Sequence, residues 1–164
     1  MPLEPEEIEK INKIFEEVDV KKNGYIPKED ILALLDKLGI KDNLSEGAQK
    51  AVVEGLTCHD KVKVTNDIVE NFYTVIKDKD DLGLLKICMR GVTEPSRTKV
   101  NLQEAMELST ILGIPKTQAE LAGDDDDKSF SFSQLAEIFY GIEIPADANQ
   151  FDGIQLGSTC CLLL

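Results

Sequence analysis

One stretch of the chain repeats another without a gap, and this limits the folds open to it more than any other feature. Ile26 corresponds to Val100, Leu38-Gly39-Ile40 to Leu112-Gly113-Ile114, Val18 to Val92 and Asp30 to Glu104, all at an offset of 74 residues. A fixed offset held across two apolar segments and the polar stretch between them means one supersecondary unit used twice. In the first copy, residues 6–18 carry Ile8, Ile11, Phe15 and Val18 at helical spacing, with acids and lysines between them. The pattern breaks over Asp19 to Tyr25, with Gly24 at the bend, and a single β-branched residue, Ile26, follows. Pro27 suits the first position of a new helix, which carries Ile31, Leu34, Leu35 and Leu38 and stops at Gly39.

Two further units fit between and after these copies. Residues 61–65 lead into an amphipathic segment with Ile68, Phe72, Val75 and Ile76, and residues 129–132 lead into one with Leu135, Ile138 and Phe139. The central apolar positions of the four units are then Ile26, Val64, Val100 and Phe130. Asn101 and Glu104 have the spacing of a capping box, and Thr65 and Ser133 are the expected caps of the other exiting helices. Pro115 leaves room for only about two turns of helix before Gly123.

Helix, short polar loop with a glycine bend, β-branched residue, helix: this outline, repeated four times over residues 6–142, resembles the EF-hand superfamily. It is most similar to calmodulin-like proteins with two pairs of hands and to degenerate members such as myosin light chains. The phrase running from Val18 through Gly24-Tyr25-Ile26-Pro27 to Asp30 also resembles the EF-hand calcium-binding domain-containing proteins, several of which the resemblance implies are structural parts of cilia and sperm flagella. The expected fold is all-α, two EF-hand pairs with short β contacts between paired loops. Residues 1–77 form the first pair, 78–82 a linker or continuous helix, 83–144 the second pair and 145–164 a tail.

Calcium loops of this kind take oxygen ligands at positions 1, 3, 5, 7, 9 and 12, with a glycine at 6 and a bidentate Glu at 12. The first loop offers Asp19, Asn23 and Asp30 but has Lys21 at position 3. Asp30 is one methylene shorter than the usual Glu and suits magnesium better than calcium. The second loop offers Thr57, His59, Lys61, Thr65 and Ile68, which is no hard-cation site, and its lone histidine reads as a loop residue. The third has Thr93, Pro95 and Arg97 at positions 1, 3 and 5, so Glu104 reads as a helix cap. The fourth has four consecutive carboxylates, with Asp125 and Asp127 at positions 3 and 5, but lacks the bend glycine and ends on Gln134. The candidate metal ligands are therefore Asp19, Asn23, Asp30, Asp125 and Asp127. No cofactor is expected, with calcium or magnesium at low occupancy as the alternative.

Formal net charge is −13 over 164 residues. That argues against binding nucleic acid through its phosphates and suits a basic or amphipathic helix, or a cytoskeletal assembly, as partner. Residues 1–8 lack the apolar segment of a secretory signal, and no apolar run is long enough to span a membrane. With Cys58 and Cys88 scattered and Cys160 and Cys161 adjacent, the cysteines make a poor disulfide framework, so an intracellular chain with reduced thiols is expected. Cys161-Leu162-Leu163-Leu164 fits a prenylation signal, with Cys160 available for a second acyl chain; the alternative is an apolar tail that packs into a groove. With one histidine and no glycine-rich phosphate loop, an enzyme is not expected. Three readings remain: a calcium-independent adaptor or structural protein in cytoplasm or cytoskeleton (cilium or flagellum included), a prenylated calmodulin-like protein at a membrane, and a weak calcium sensor using the fourth loop.

Overall fold

The computed structural model describes residues 2–154, and within them the chain forms eight α-helices and two very short strands. The helices are α1 (Pro5–Val18), α2 (Ile31–Lys37), α3 (Glu46–Thr57), α4 (Asn66–Lys77), α5 (Asp81–Val92), α6 (Leu102–Ile111), α7 (Gln118–Ala122) and α8 (Phe132–Tyr140). Taken in order they make four helix–loop–helix units. The loops pair antiparallel, through an isolated bridge between Ile26 and Val64 and through β1 (Val100–Asn101) against β2 (Ser129–Phe130), with Val100 opposite Phe130. The fold is the expected all-α one, and the four central apolar residues, each almost fully buried, make the two loop contacts.

The repeat is visible at the level of single hydrogen bonds. At the end of α2 the Gly39 N–H donates to Asp36 O (3.0 Å) and Ile40 N–H to Leu35 O (3.1 Å). At the end of α6 the residues 74 positions later do the same, Gly113 to Thr110 O (3.1 Å) and Ile114 to Ser109 O (2.9 Å). Both glycines have φ near +80°, the left-handed conformation that closes a helix with this pair of bonds.

Several helix starts differ from expectation in detail. Pro27 precedes a 3-10 turn (Lys28–Asp30), and α2 begins only at Ile31. Thr65 caps α4 by position, without a side-chain hydrogen bond. The cap of α8 is Ser131 rather than Ser133: Ser131 Oγ accepts from the Gln134 N–H (3.2 Å) and Gln134 Oε1 from the Ser131 N–H (2.8 Å). Ser131 stands just after the β2 residue Phe130, where the chain is still extended, the geometry a capping residue needs. α7 is a single short turn of five residues, held by a Thr117–Glu120 capping box, as Pro115 implied. Between α4 and α5 the chain makes a tight turn, with Asp80 N–H donating to Val75 O (2.9 Å) and the Asp80 side chain capping α5 at the Gly83 N–H (2.9 Å).

The helices pack into one core that draws on all four units, with Phe15, Phe72, Leu85, Met89, Phe130 and Leu135 among its members. Its most extensive helix–helix contact joins α3 to α5, the entering helices of the second and third units. The two backbones meet at glycines: a Cβ on Gly55 would lie 2.0 Å from Ile87 O, and one on Gly91 would lie 2.0 Å from Ala51 O. At the other end of α3, Ser45 Oγ donates to Ile111 O (2.9 Å), fixing α3 to the end of α6.

After α8 the chain turns back over α5. Gln150 is fully buried there, its side-chain amide donating to Thr93 Oγ1 (2.9 Å) and Arg97 O (3.2 Å), while its backbone carbonyl oxygen accepts from Arg90 Nε. Phe151 beside it is also buried. The lipidation expectations at Cys160 and Cys161 fall outside the described residues. No helix among the described residues is long and apolar enough to cross a membrane.

Two substitutions test this packing. Gly91→Ala should lower the unfolding free energy by about 3 kcal/mol, since backbone carbonyl cannot move aside as a side chain can. Gln150→Ala should cost roughly 2 kcal/mol by leaving the Thr93 and Arg97 groups without their partner. Both are read from urea denaturation midpoints.

Candidate functional site

The loops are where this fold concentrates polar side chains, and each is built differently. In the first, Asp19 leaves the end of α1 with its side chain buried, and its carboxylate binds the loop's own backbone: Asn23 N–H donates to Oδ1 (3.2 Å) and Gly24 N–H to Oδ2 (3.0 Å). Gly24, at φ +89°, makes the bend that brings those two N–H groups round. The Asn23 amide, oriented by its surroundings, donates to Tyr25 O (3.2 Å) and Asp19 Oδ1 (2.9 Å). Asp19, Asn23 and Asp30 line one shallow depression with Tyr25, Lys21 and Glu29, so the three expected residues are brought together. Lys63, from the paired loop, lies over the Tyr25 ring at 4.7 Å, within cation–π range.

The second loop departs from the first in its opening residues. Cys58, His59 and Asp60 all have positive φ (45°, 55° and 71°), a left-handed turn directly after α3. Non-glycine residues take this conformation at a cost of order 1 kcal/mol each, so neighbours must hold it. Lys28, reaching across from the first loop, pairs with Glu54 (2.5 Å) and Asp60 (3.6 Å). Glu54 holds the Lys28 ammonium above its ordinary pKa. His59 sits half-exposed, with Nε2 3.1 Å from Arg90 O and Nδ1 3.6 Å from Glu54.

In the third loop a cation of the chain itself engages the Glu104 carboxylate. Arg97, at position 5, faces Glu104, at position 12, in a two-pronged pair: NH1 to Oε1 (2.5 Å) and NH2 to Oε2 (2.7 Å). The same Glu104 accepts from Asn101 N–H (2.9 Å), and Asn101 Oδ1 accepts from Glu104 N–H (2.8 Å), which completes the expected capping box. The Arg97 guanidinium first, and the Asn101 N–H second, hold Glu104 below the usual carboxylate range against the opposing effect of its burial. The signal for this pair was in the sequence: opposite charges seven residues apart, at two positions that converge in such a loop.

The fourth loop repeats the capping geometry with neutral groups, Ser131 and Gln134 taking positions 9 and 12. Asp125 and Asp127 are both exposed; Asp125 Oδ1 accepts from the Asp127 N–H (3.1 Å). Lys128 lies inward of the acidic run, its ammonium 5.4 Å from the Phe130 ring centre. Asp125 and Asp127 thus belong to the second loop pair, apart from the cluster of Asp19, Asn23 and Asp30. Comparison with protein-family models and with curated proteins returned no match for this chain.

The Arg97–Glu104 pair should show itself in the pH dependence of stability. Glu104 is held low in the folded state, so its contribution is complete above the ordinary Glu range and is lost as pH falls through the depressed value. Arg97→Gln should cost on the order of 0.5–1 kcal/mol at neutral pH, the size expected of a partly exposed pair. The gap between variant and parent should shrink as Glu104 protonates. Denaturant titrations at pH 7 and pH 3 check both statements.

Proposed function

We propose that the chain is a non-catalytic EF-hand-type scaffold that holds its shape without calcium and binds a protein partner through a fixed surface. One observation carries this reading: at the third loop, Glu104 is engaged by Arg97 and by Asn101, a cation and an N–H supplied by the chain itself. A loop closed in this way gains nothing from a metal at its position 12, because the incoming ion would first have to displace a guanidinium. The packing supports it too. The second and third units are fixed against each other, since α3 and α5 meet backbone to backbone at Gly55 and Gly91.

The partner that fits a chain of net charge −13 is a basic or amphipathic helix presented by a larger assembly. The resemblance to structural EF-hand proteins extends the proposal to a cytoskeletal setting, a cilium or flagellum among them. The test has two parts. Calorimetric titration with calcium to millimolar concentration should give no binding heat and no change in near-ultraviolet circular dichroism. Affinity purification from native cells should then recover the same partners in calcium and in chelator. A saturating heat that disappears in the Asp125→Asn, Asp127→Asn double variant would instead assign a weak sensor to the fourth loop, and partners recovered only in calcium would overturn the reading.

A further inference from the structure

A cavity of about 260 Å3 lies where α3, α4 and α5 meet the returning C-terminal segment, and none of the candidate metal ligands lines it. Its wall is mostly hydrocarbon: Leu56, Ile68, Phe72, Val75, Ile87 and Ile154. Two cations stand in that wall, Lys86 and Arg90, four residues apart on α5 and hence on one face of it. Like charges at this spacing repel, and placing them against an apolar cavity costs more again. Arg90 is only 9% exposed, and Lys86 is half-buried. Neither has a carboxylate within ion-pair distance among the described residues. Arg90 Nε donates to the Gln150 backbone carbonyl, and Lys86 makes no hydrogen bond there among the described residues. Asp152, also in the wall, is the carboxylate whose field reaches both, and burial nonetheless leaves both below their ordinary pKa.

We infer that this cavity is a binding site for a small amphipathic anion, a medium-chain aliphatic carboxylate, with the chain in the apolar pocket and the carboxylate on Lys86 and Arg90. Size and charge both select this class. A ~150 Å3 cavity lined by Leu, Ile and Phe takes a benzene-sized molecule, so in proportion this one takes roughly ten non-hydrogen atoms. Octanoate has that number. A neutral alkyl ligand would fill the volume but leave the two cations opposed by Asp152 alone; acetate would meet the cations and leave the cavity unfilled. The carboxylate head satisfies a requirement that α5 otherwise leaves open, since an anion removes the like-charge repulsion between Lys86 and Arg90.

The site uses none of the candidate metal ligands Asp19, Asn23, Asp30, Asp125 and Asp127, so its test does not depend on whether calcium binds. Full-length protein is titrated with sodium octanoate, 1-octanol and sodium acetate by calorimetry. Octanoate should bind saturably with one site per chain, and at least about tenfold more tightly than either control, the factor that one charge-assisted contact provides. Lys86→Gln should weaken octanoate by about tenfold and leave octanol unchanged, a split that a general loss of structure would not produce. Ile68→Trp, which fills the cavity, should abolish octanoate binding while circular dichroism reports the same helix content. No saturable binding at millimolar octanoate would overturn the proposal, as would equal affinity for octanol or an unaffected Lys86→Gln variant. If the unaltered chain fails to bind and a Leu156→Asp chain binds, the cavity belongs to the protein's own following residues, and the proposal is again overturned.

Discussion

The contact between α3 and α5 governs the architecture because it is made by backbone. Where two helices approach through side chains, their spacing can adjust as rotamers change. At Gly55 and Gly91 the opposing surface is a carbonyl group, close enough that no side chain fits between. The crossing therefore has one geometry, and it ties the second helix–loop–helix unit to the third. Apolar residues from all four units join that pair in one core.

The loops are held by contacts that the chain itself supplies. An ion-binding loop gathers repelling carboxylates and relies on a metal to hold them. In this chain the gathered groups are mixed in sign. Lys28 spans from the first loop to the acids of the second, and Arg97 spans the third. The first loop turns its Asp19 carboxylate onto its own N–H groups, and the fourth closes with serine and glutamine. These are four local solutions to one problem, that of stopping a tight polar turn from coming apart, and each uses a different donor.

The sequence was legible where structure repeats and where one residue decides a local contact. Ile26, Val64, Val100 and Phe130 stood out because an apolar residue in a polar loop has to be buried against something, and the partner loop is the nearest candidate. Asn101 and Glu104 were readable as a cap because their bonds are made within four residues. The gathering of Asp19, Asn23 and Asp30 around one depression follows the same short-range logic. Gly55 and Gly91 were opaque: inside a helix, glycine alone signals lost stability, and only the partner backbone shows its purpose. Gln150 was hidden for a related reason. It stands in a polar stretch that reads as solvated, and its burial depends on groups more than fifty positions earlier. Ser131 was passed over for Ser133 because two serines flank one phenylalanine, and only the strand register selects between them.

Gln150 also bears on how the chain acquires its structure as it is made. Its carbonyl receives Arg90, sixty residues earlier, and its amide secures Thr93 and Arg97. At a synthesis rate of about 5–20 residues per second, α5 would wait some 3–12 s, on that estimate, before the segment that covers it appears. During that interval Arg90 has lost water on one side without gaining its acceptor. The first two units can assemble in order, each loop finding its neighbour within forty residues. The third cannot finish until the last part of the described chain arrives, so α5, though able to pack on α3, lacks the cover of Gln150 and Phe151 until then.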